Sequence, residues 1–182
     1  MKEVIVLRYG HRLIRDARVT THCALVARAL GASKIIICGD EDPQYIEQLN
    51  KTSTDWGGKF RAEQGAEWKQ IVRHYKVRHY TVLHNTMYGI PIQDEIQEIR
   101  KKNKFLIIIG SQKVPIEAYK EADYNIAITG QPHSEIASLA ITMHEIFEGK
   151  ELSKKFAKAE KKVIPQKIGK KIITNKNTTH DK

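Results

Sequence analysis

Short runs of apolar, largely β-branched residues punctuate the chain at residues 4–7, 35–38, 79–83, 105–109 and 124–128, bounded by turn-forming or charged residues. Several are apolar throughout, the pattern of a strand buried on both faces. Between them the apolar positions recur at helical spacing, over residues 20–30 closed by Gly31, 43–49, 68–75, 92–101, 115–122, and 134–147 closed by Gly149. This alternation predicts an α/β fold, a mostly parallel sheet with helices on both faces. Near the end, residues 161–165 and 170–174 flank a turn at Lys167-Ile168-Gly169 and predict a small hairpin, with a frayed end over residues 175–182. The expected organisation is a main domain over residues 1–149 and a basic extension over residues 150–182.

Charge changes this picture mainly at the end. The 182-residue chain carries a net +10, yet eleven lysines and only three acids fall between Gly149 and Lys182, leaving about +2 for everything before. A nearly neutral body with a basic extension fits a phosphate-rich partner gripped by lysines, or a tail that only keeps the chain in solution. With 41% hydrophobic and 29% charged residues, the composition supports a buried core and excludes wholesale disorder. No apolar run approaches the ~20 residues of a membrane span, and Met1-Lys2-Glu3 leads straight into a strand, so a cytoplasmic protein without a membrane partner is expected. Cys23 and Cys38 lack metal-ligand spacing and are expected to be reduced and buried; no metal site is expected.

Candidate chemistry follows from where ligands bind in open parallel sheets, beyond the carboxyl ends of the strands. Three loops occupy such places: Asn85-Thr86-Met87-Tyr88-Gly89, Gly110-Ser111-Gln112-Lys113-Val114-Pro115, and, after Ile128, Thr129-Gly130-Gln131-Pro132-His133-Ser134-Glu135. Each holds a glycine that lets backbone approach a ligand. None has the glycine pattern of a dinucleotide fold or a P-loop, so a ligand with an adenine and no phosphate fits better. The plainer reading is ordinary strand-to-helix turns, with Pro115 opening one helix and Ser134 capping another.

A further cluster lies between the first strand and the first helix: Arg8, His11, Arg12, Arg15, Arg18, then Thr20-Thr21-His22 at the expected helix start. Guanidinium forks match phosphate oxygens, so these residues are candidates to seat an RNA backbone; a surface ion-pair cluster around Asp16 is the alternative.

Taken in order, Arg8-x-Gly10-His11-Arg12, Arg15-Asp16-x-Arg18-Val19-Thr20-Thr21-His22, Thr86-Met87-Tyr88-Gly89, Lys113-Val114-Pro115 and Gln131-Pro132-His133-Ser134-Glu135 resemble the archaeal tRNA (cytidine(56)-2′-O)-methyltransferase family of the SPOUT class, almost end to end. Asn85, Ser111-Gln112 and Thr129-Gly130 depart from the pattern, which has Leu, Ala-Glu and Gly-Asn there. The resemblance implies a C-terminal trefoil knot and a homodimer in which the donor pocket of one subunit meets the Arg-rich segment of the other. It also implies methylation of the ribose 2′-hydroxyl of cytidine 56 in tRNA, with S-adenosylmethionine as donor. The donor-binding residues would be Asn85, Thr86, Gly110, Ser111, Gln112, Lys113, Val114, Ile128, Thr129, Gly130, Gln131, Pro132, His133 and Ser134. Arg8, His11, Arg12 and Arg15 would hold RNA. Arg18 is the catalytic candidate that the resemblance offers, holding ribose and phosphate, with His22 or a phosphate oxygen taking the proton, because a guanidinium hardly ever deprotonates. Two rival readings are a non-catalytic RNA-binding protein, which would leave the three loops without a task, and a flavodoxin-like small-molecule enzyme, which would leave the basic extension without one; a SPOUT enzyme acting elsewhere on RNA is the nearer variant.

Overall fold

The apolar runs become strands of one sheet in the computed structural model, which describes residues 2–110 and 114–174. In chain order the elements are β1 (Glu3–His11), α1 (Leu13–Ala29), β2 (Lys34–Gly39), α2 (Pro43–Trp56), β3 (Arg61–Gly65), α3 (Trp68–Val77), β4 (Thr81–Pro91), α4 (Ile92–Arg100), β5 (Lys104–Gly110), α5 (Ile116–Glu121), β6 (Tyr124–Ala127) and α6 (Glu135–Phe147). A 3-10 turn at Lys150–Ser153 and an antiparallel hairpin of β7 (Lys161–Ile164) and β8 (Lys171–Thr174) follow. The six-stranded sheet runs β3-β2-β1-β5-β4-β6 with every pair parallel.

Period-two alternation sorts the core into two layers. Val4, Val6, Ile35, Ile37, Phe105, Ile107 and Ile109 face the layer closed by α1, α2, α4 and α6, and Ile5, Leu7, Ile36, Leu106 and Ile108 face α3 and α5. The central strands are buried on both sides, as their continuous apolar runs predict. Cys23 and Cys38 are free and buried, and burial pushes their thiols up to about 11 and about 12, so neither is a reactive thiolate. No helix of the described residues is long and apolar enough to cross a membrane.

Three elements differ from the sequence expectation. Strand β3, Arg61-Ala62-Glu63-Gln64-Gly65, has no apolar run to announce it and forms as an edge strand. The Asn50 amide of α2 serves its outer side, accepting from Ala62 N at 2.8 Å and donating to Ala62 O at 3.0 Å. Helix α1 begins at Leu13 rather than near Thr20, because polar partners start it. The Asp16 carboxylate accepts from Arg12 N and Nε, and Asp40 accepts from Leu13 N, which satisfies amides that a helix start leaves unpaired. Strand β4 runs on to Pro91 through an irregularity between Asn85 and Ile90, so the first expected loop is itself strand.

The extension is held on the main domain. His144 Nδ1 donates to the buried Glu151 carboxylate at 2.6 Å, Lys154 Nζ to Gly31 O at 3.1 Å, and Lys161 Nζ to Asp55 at 2.8 Å. The hairpin forms where expected, but Val163, Ile168, Ile172 and Ile173 are exposed in the single chain rather than packed on its own domain. The expected frayed end, residues 175–182, lies outside the described residues.

Candidate functional site

At the carboxyl ends of β4 and β5 and the start of α6 lies a pocket of about 480 Å³, within the range of small-molecule sites. His84, Asn85, Thr86, Met87 and Tyr88 of β4, Ile109 and Gly110 of β5, Val114, Tyr119 of α5, Pro132, His133, and Glu135 and Ser138 of α6 line it. Of the residues expected to bind the donor, Asn85, Thr86, Gly110, Val114, Pro132 and His133 line this pocket. Among the described residues, Ile128, Thr129, Gly130 and Gln131 do not line the pocket, and none lies within 4 Å of a Cβ built on Gly130. Ser134 instead caps α6, its Oγ accepting from Ile136 N at 3.1 Å, and Gln131 O stands 2.8 Å from His133 Nδ1. Ser111, Gln112 and Lys113 lie outside the described residues.

Sequence reading missed His84, Tyr119 and Ser138 because each sits inside a strand or helix rather than after one. They form the pocket's polar frame. Asn125 Nδ2 donates to Tyr119 O at 2.9 Å, so its Oδ1 faces His84 Nδ1, which must donate across 2.9 Å. The Thr86 and Tyr119 hydroxyls meet at 3.0 Å, and the Tyr119 ring stands edge-on to His84 with centroids 4.6 Å apart. Burial lowers the His84 pKa against the opposing hydrogen bond from Asn125, keeping the imidazole neutral. Asn85 Nδ2 donates to Ser138 Oγ at 2.9 Å and Thr142 Oγ1 at 3.0 Å, pairings that an aliphatic side chain could not make. A Cβ on Gly89 would come within 2.4 Å of Asn125 O, so only glycine lets β4 pass this close to β6.

Glu135 carries the only formal charge among the described lining residues. Its Oε1 accepts from Arg8 Nη2 at 3.0 Å. With that carboxylate paired to Arg8, the described lining offers no free cation to a phosphate, which a ligand without phosphate does not need. The pocket's aromatic and aliphatic walls, Tyr88, Tyr119, Met87, Ile109 and Val114, suit a planar base.

The N-terminal cluster divides. Arg8 and His11 were expected to face RNA, but both are buried, with relative exposures of 0% and 1%. The reason is the length of β1: alternation from Val4 and Val6 carries Arg8 inward, and a bulge after it, with Gly10 at φ 72°, turns His11 inward too. The Thr20 hydroxyl receives Arg8 Nε at 3.4 Å and meets His11 Nδ1 at 2.9 Å, and the His11 ring stacks on Tyr45. Arg12 is tied to Asp16, realising the ion-pair alternative at that residue. Arg15, Arg18 and His22 are exposed along α1, inside the helix rather than before it. None of the three lines the pocket, so one chain does not bring them to it.

The model of the tRNA ribose 2′-O-methyltransferase family, aTrm56, matches residues 56–173. The tRNA (cytidine(56)-2′-O)-methyltransferase of Methanopyrus kandleri is 44% identical over 92% of this chain and 94% of its own length. That of Thermococcus kodakarensis is 46% identical over 94% and 97%. Among solved structures, the SpoU methyltransferase AviRb from Streptomyces viridochromogenes, in complex with AdoMet, superposes with a TM-score of 0.60 at 13% identity, covering 82% of this chain and 58% of that one, a likeness of fold. On the family match and the near full-length identity, this chain belongs to the aTrm56 family of tRNA ribose 2′-O-methyltransferases.

Proposed function

We propose that this protein methylates the ribose 2′-hydroxyl of cytidine 56 in tRNA, using S-adenosylmethionine held in the pocket between β4, β5 and α6. The near full-length identity to enzymes of that name carries this reading. The pocket fits the donor: its described lining has no free cation to call for a phosphate, its walls suit an adenine, and Asn85 Oδ1 and His84 Nε2 are buried acceptors without a partner among the described residues. Asn85, Thr86, Gly110, Val114, Pro132 and His133 would hold it, with Glu135 near its positive charge. When bound, S-adenosylmethionine supplies an electrophilic methyl group on a cationic sulfur. The protein then has to exclude water, orient the ribose and receive a proton; orientation alone can be worth on the order of 7 to 11 kcal/mol in favourable cases.

Those tasks fall to Arg15, Arg18 and His22, which lie on the pocket of a second copy in this reading. Arg18 and His22 are one helical turn apart on the exposed side of α1, so a guanidinium holding ribose and phosphate stands beside an imidazole able to take the proton. Ile14 and Leu25 of α1 and Ile141 of α6 are exposed on helices that pack together, which supports a homodimer through this surface. The trefoil knot and a cytoplasmic location belong to the same reading, as does the division into residues 1–149 and a tRNA- or dimer-contacting extension. Incubating the protein with unmodified tRNA and labelled donor, then mapping the methyl group, tests it: a methyl elsewhere than the ribose of residue 56, or none, overturns it.

A further inference from the structure

We propose that the groove between α2, the turn into β3 and the start of the extension seats the phosphodiester backbone of the substrate tRNA, away from the methyl-transfer pocket. The proposal rests on the tRNA reading above and adds to it a surface that no motif of the sequence marked. The groove is open, with a volume of about 1070 Å³. Lys59, Arg61 and Lys158 stand around it, and their side chains are exposed and have no ion pair or hydrogen bond with any described residue. Glu160 is the only acid of the lining, and the nearby Asp55 is already taken by Lys161. Ser53 Oγ, on the α2 wall, is a buried hydroxyl without a partner.

The backbone that carries these cations is held in place rather than borne on a loose tail. Gly57 and Gly58 hold left-handed φ of 76° and 94°, and a Cβ on Gly57 would come within 2.5 Å of Ala157 O. The extension therefore presses directly on that turn, and Gly58 N donates to Ala157 O at 2.9 Å. Arg28 Nη2 donates to Gly57 O at 2.6 Å while its guanidinium lies 5.0 Å from the centre of the Phe156 ring. Lys158, at φ 59°, is thereby presented across the groove from Lys59 and Arg61. Cations on a held backbone and without acid partners lose less by meeting phosphates, because no internal ion pair must break and only the side chains have to be ordered.

The place also suits a long polyanion. The groove lies at the amino end of edge strand β3, whereas the pocket lies at the carboxyl ends of β5 and β4, three and four strand positions away, or about 14 to 19 Å across the sheet at ~4.8 Å per strand. A nucleotide large enough to touch both is a folded RNA, not a free mononucleotide. The lysines of the extension divide accordingly: Lys154 and Lys161 are engaged in holding it on the domain, and Lys158 is the one directed to the groove.

The test is a triple variant, Lys59→Gln, Arg61→Gln and Lys158→Gln, compared with a control of equal charge loss on α3 and its C-cap, away from the groove, Lys69→Gln, Arg73→Gln and Arg78→Gln. Binding of unmodified tRNA is measured across a salt series, alongside donor affinity and melting temperature. The groove variant should bind tRNA on the order of tenfold or more weakly at low salt and lose about two to three units from the slope of log affinity against log salt. Its donor affinity should match that of the wild type, and the control should change much less. Unchanged tRNA affinity and slope in a folded groove variant, or an equal loss in the control, overturns the groove. Wild-type protein that binds donor but neither binds nor methylates tRNA would instead overturn the functional reading, and the groove with it.

Discussion

Arg8 Nη2 donates to Glu135 Oε1 at 3.0 Å, joining the first strand to the first turn of the last helix across 127 residues of chain. The guanidinium is fully buried while the carboxylate is partly exposed on the pocket wall. The pair thus ties the sheet core to the ligand site. Its two halves are unequal. Glu135→Ala strands a buried cation and should cost about 3 to 5 kcal/mol in denaturant unfolding. Arg8→Met leaves a carboxylate that water can still reach and should cost less, and the double replacement Arg8→Met with Glu135→Leu should recover much of the loss of Glu135→Ala. Equal costs for the two single variants would show that burial of Arg8 does not govern this contact.

Gly89→Ala should be damaging and Gly130→Ala should not. The added methyl at Gly89 meets backbone of β6 and cannot be relieved by a side-chain rotation, whereas a methyl at Gly130 meets none of the described residues. An expected cost is about 1 to 3 kcal/mol at Gly89, with weakened donor binding because β4 supplies Asn85 to Tyr88. Calorimetric titration with S-adenosylmethionine checks both; a Gly89→Ala protein with wild-type melting and donor affinity would contradict the close approach.

Arg18→Ala should lose turnover by about a hundredfold or more while donor affinity stays, since Arg18 does not line the pocket. Complementation then locates its action. Mixing Arg18→Ala chains with chains blocked at the pocket by Gly110→Trp should restore activity, because a mixed dimer has one intact composite site. Failure of two stable, dimer-forming variants to complement would place the whole site within one chain. His22→Ala, run in parallel, should flatten the pH dependence of single-turnover rates if its imidazole takes the proton.

Acid should weaken the fold at two buried histidines. Burial lowers the pKa of His11, with Arg8 adding to the effect, and burial lowers that of His84. In the unfolded chain both would titrate near 6.5. The folded state therefore binds fewer protons: their contribution is intact above about pH 6.5, falls as pH drops towards the folded values, and levels off below them. Melting temperature should be flat around pH 7 to 8 and decline towards about pH 5. His84→Gln should decline less steeply, and a slope identical to the wild type would exclude His84 as a source.

The parts of this molecule written in apolar pattern were legible in advance. The runs at residues 4–7, 35–38 and 105–109 became the buried strands because continuous hydrophobicity has few other outlets in a domain of this size. β3 escaped notice since an edge strand of Arg, Ala, Glu, Gln and Gly is held by backbone pairing with β2 and by Asn50, neither of which leaves an apolar trace. Arg8 was misjudged for a related reason: arginine is read as surface, and only the register of β1 reveals that it shares a face with Val4 and Val6. The pocket was found through its loops, while Tyr119 and His84 were missed because a hydrogen-bond frame between two strands and a helix has no spacing signature.

Asn50 has a consequence beyond shaping β3. The outward-facing amide and carbonyl of an edge strand are an open template on which another chain can lay a strand and begin to aggregate. At Ala62 both groups are already occupied, by the two ends of a single side-chain amide. An incoming strand would have to displace a partner that is tethered beside it at no cost in concentration, so the sheet is terminated from within, and Asn50→Ala should leave an enzyme that still folds but gains a sticky edge.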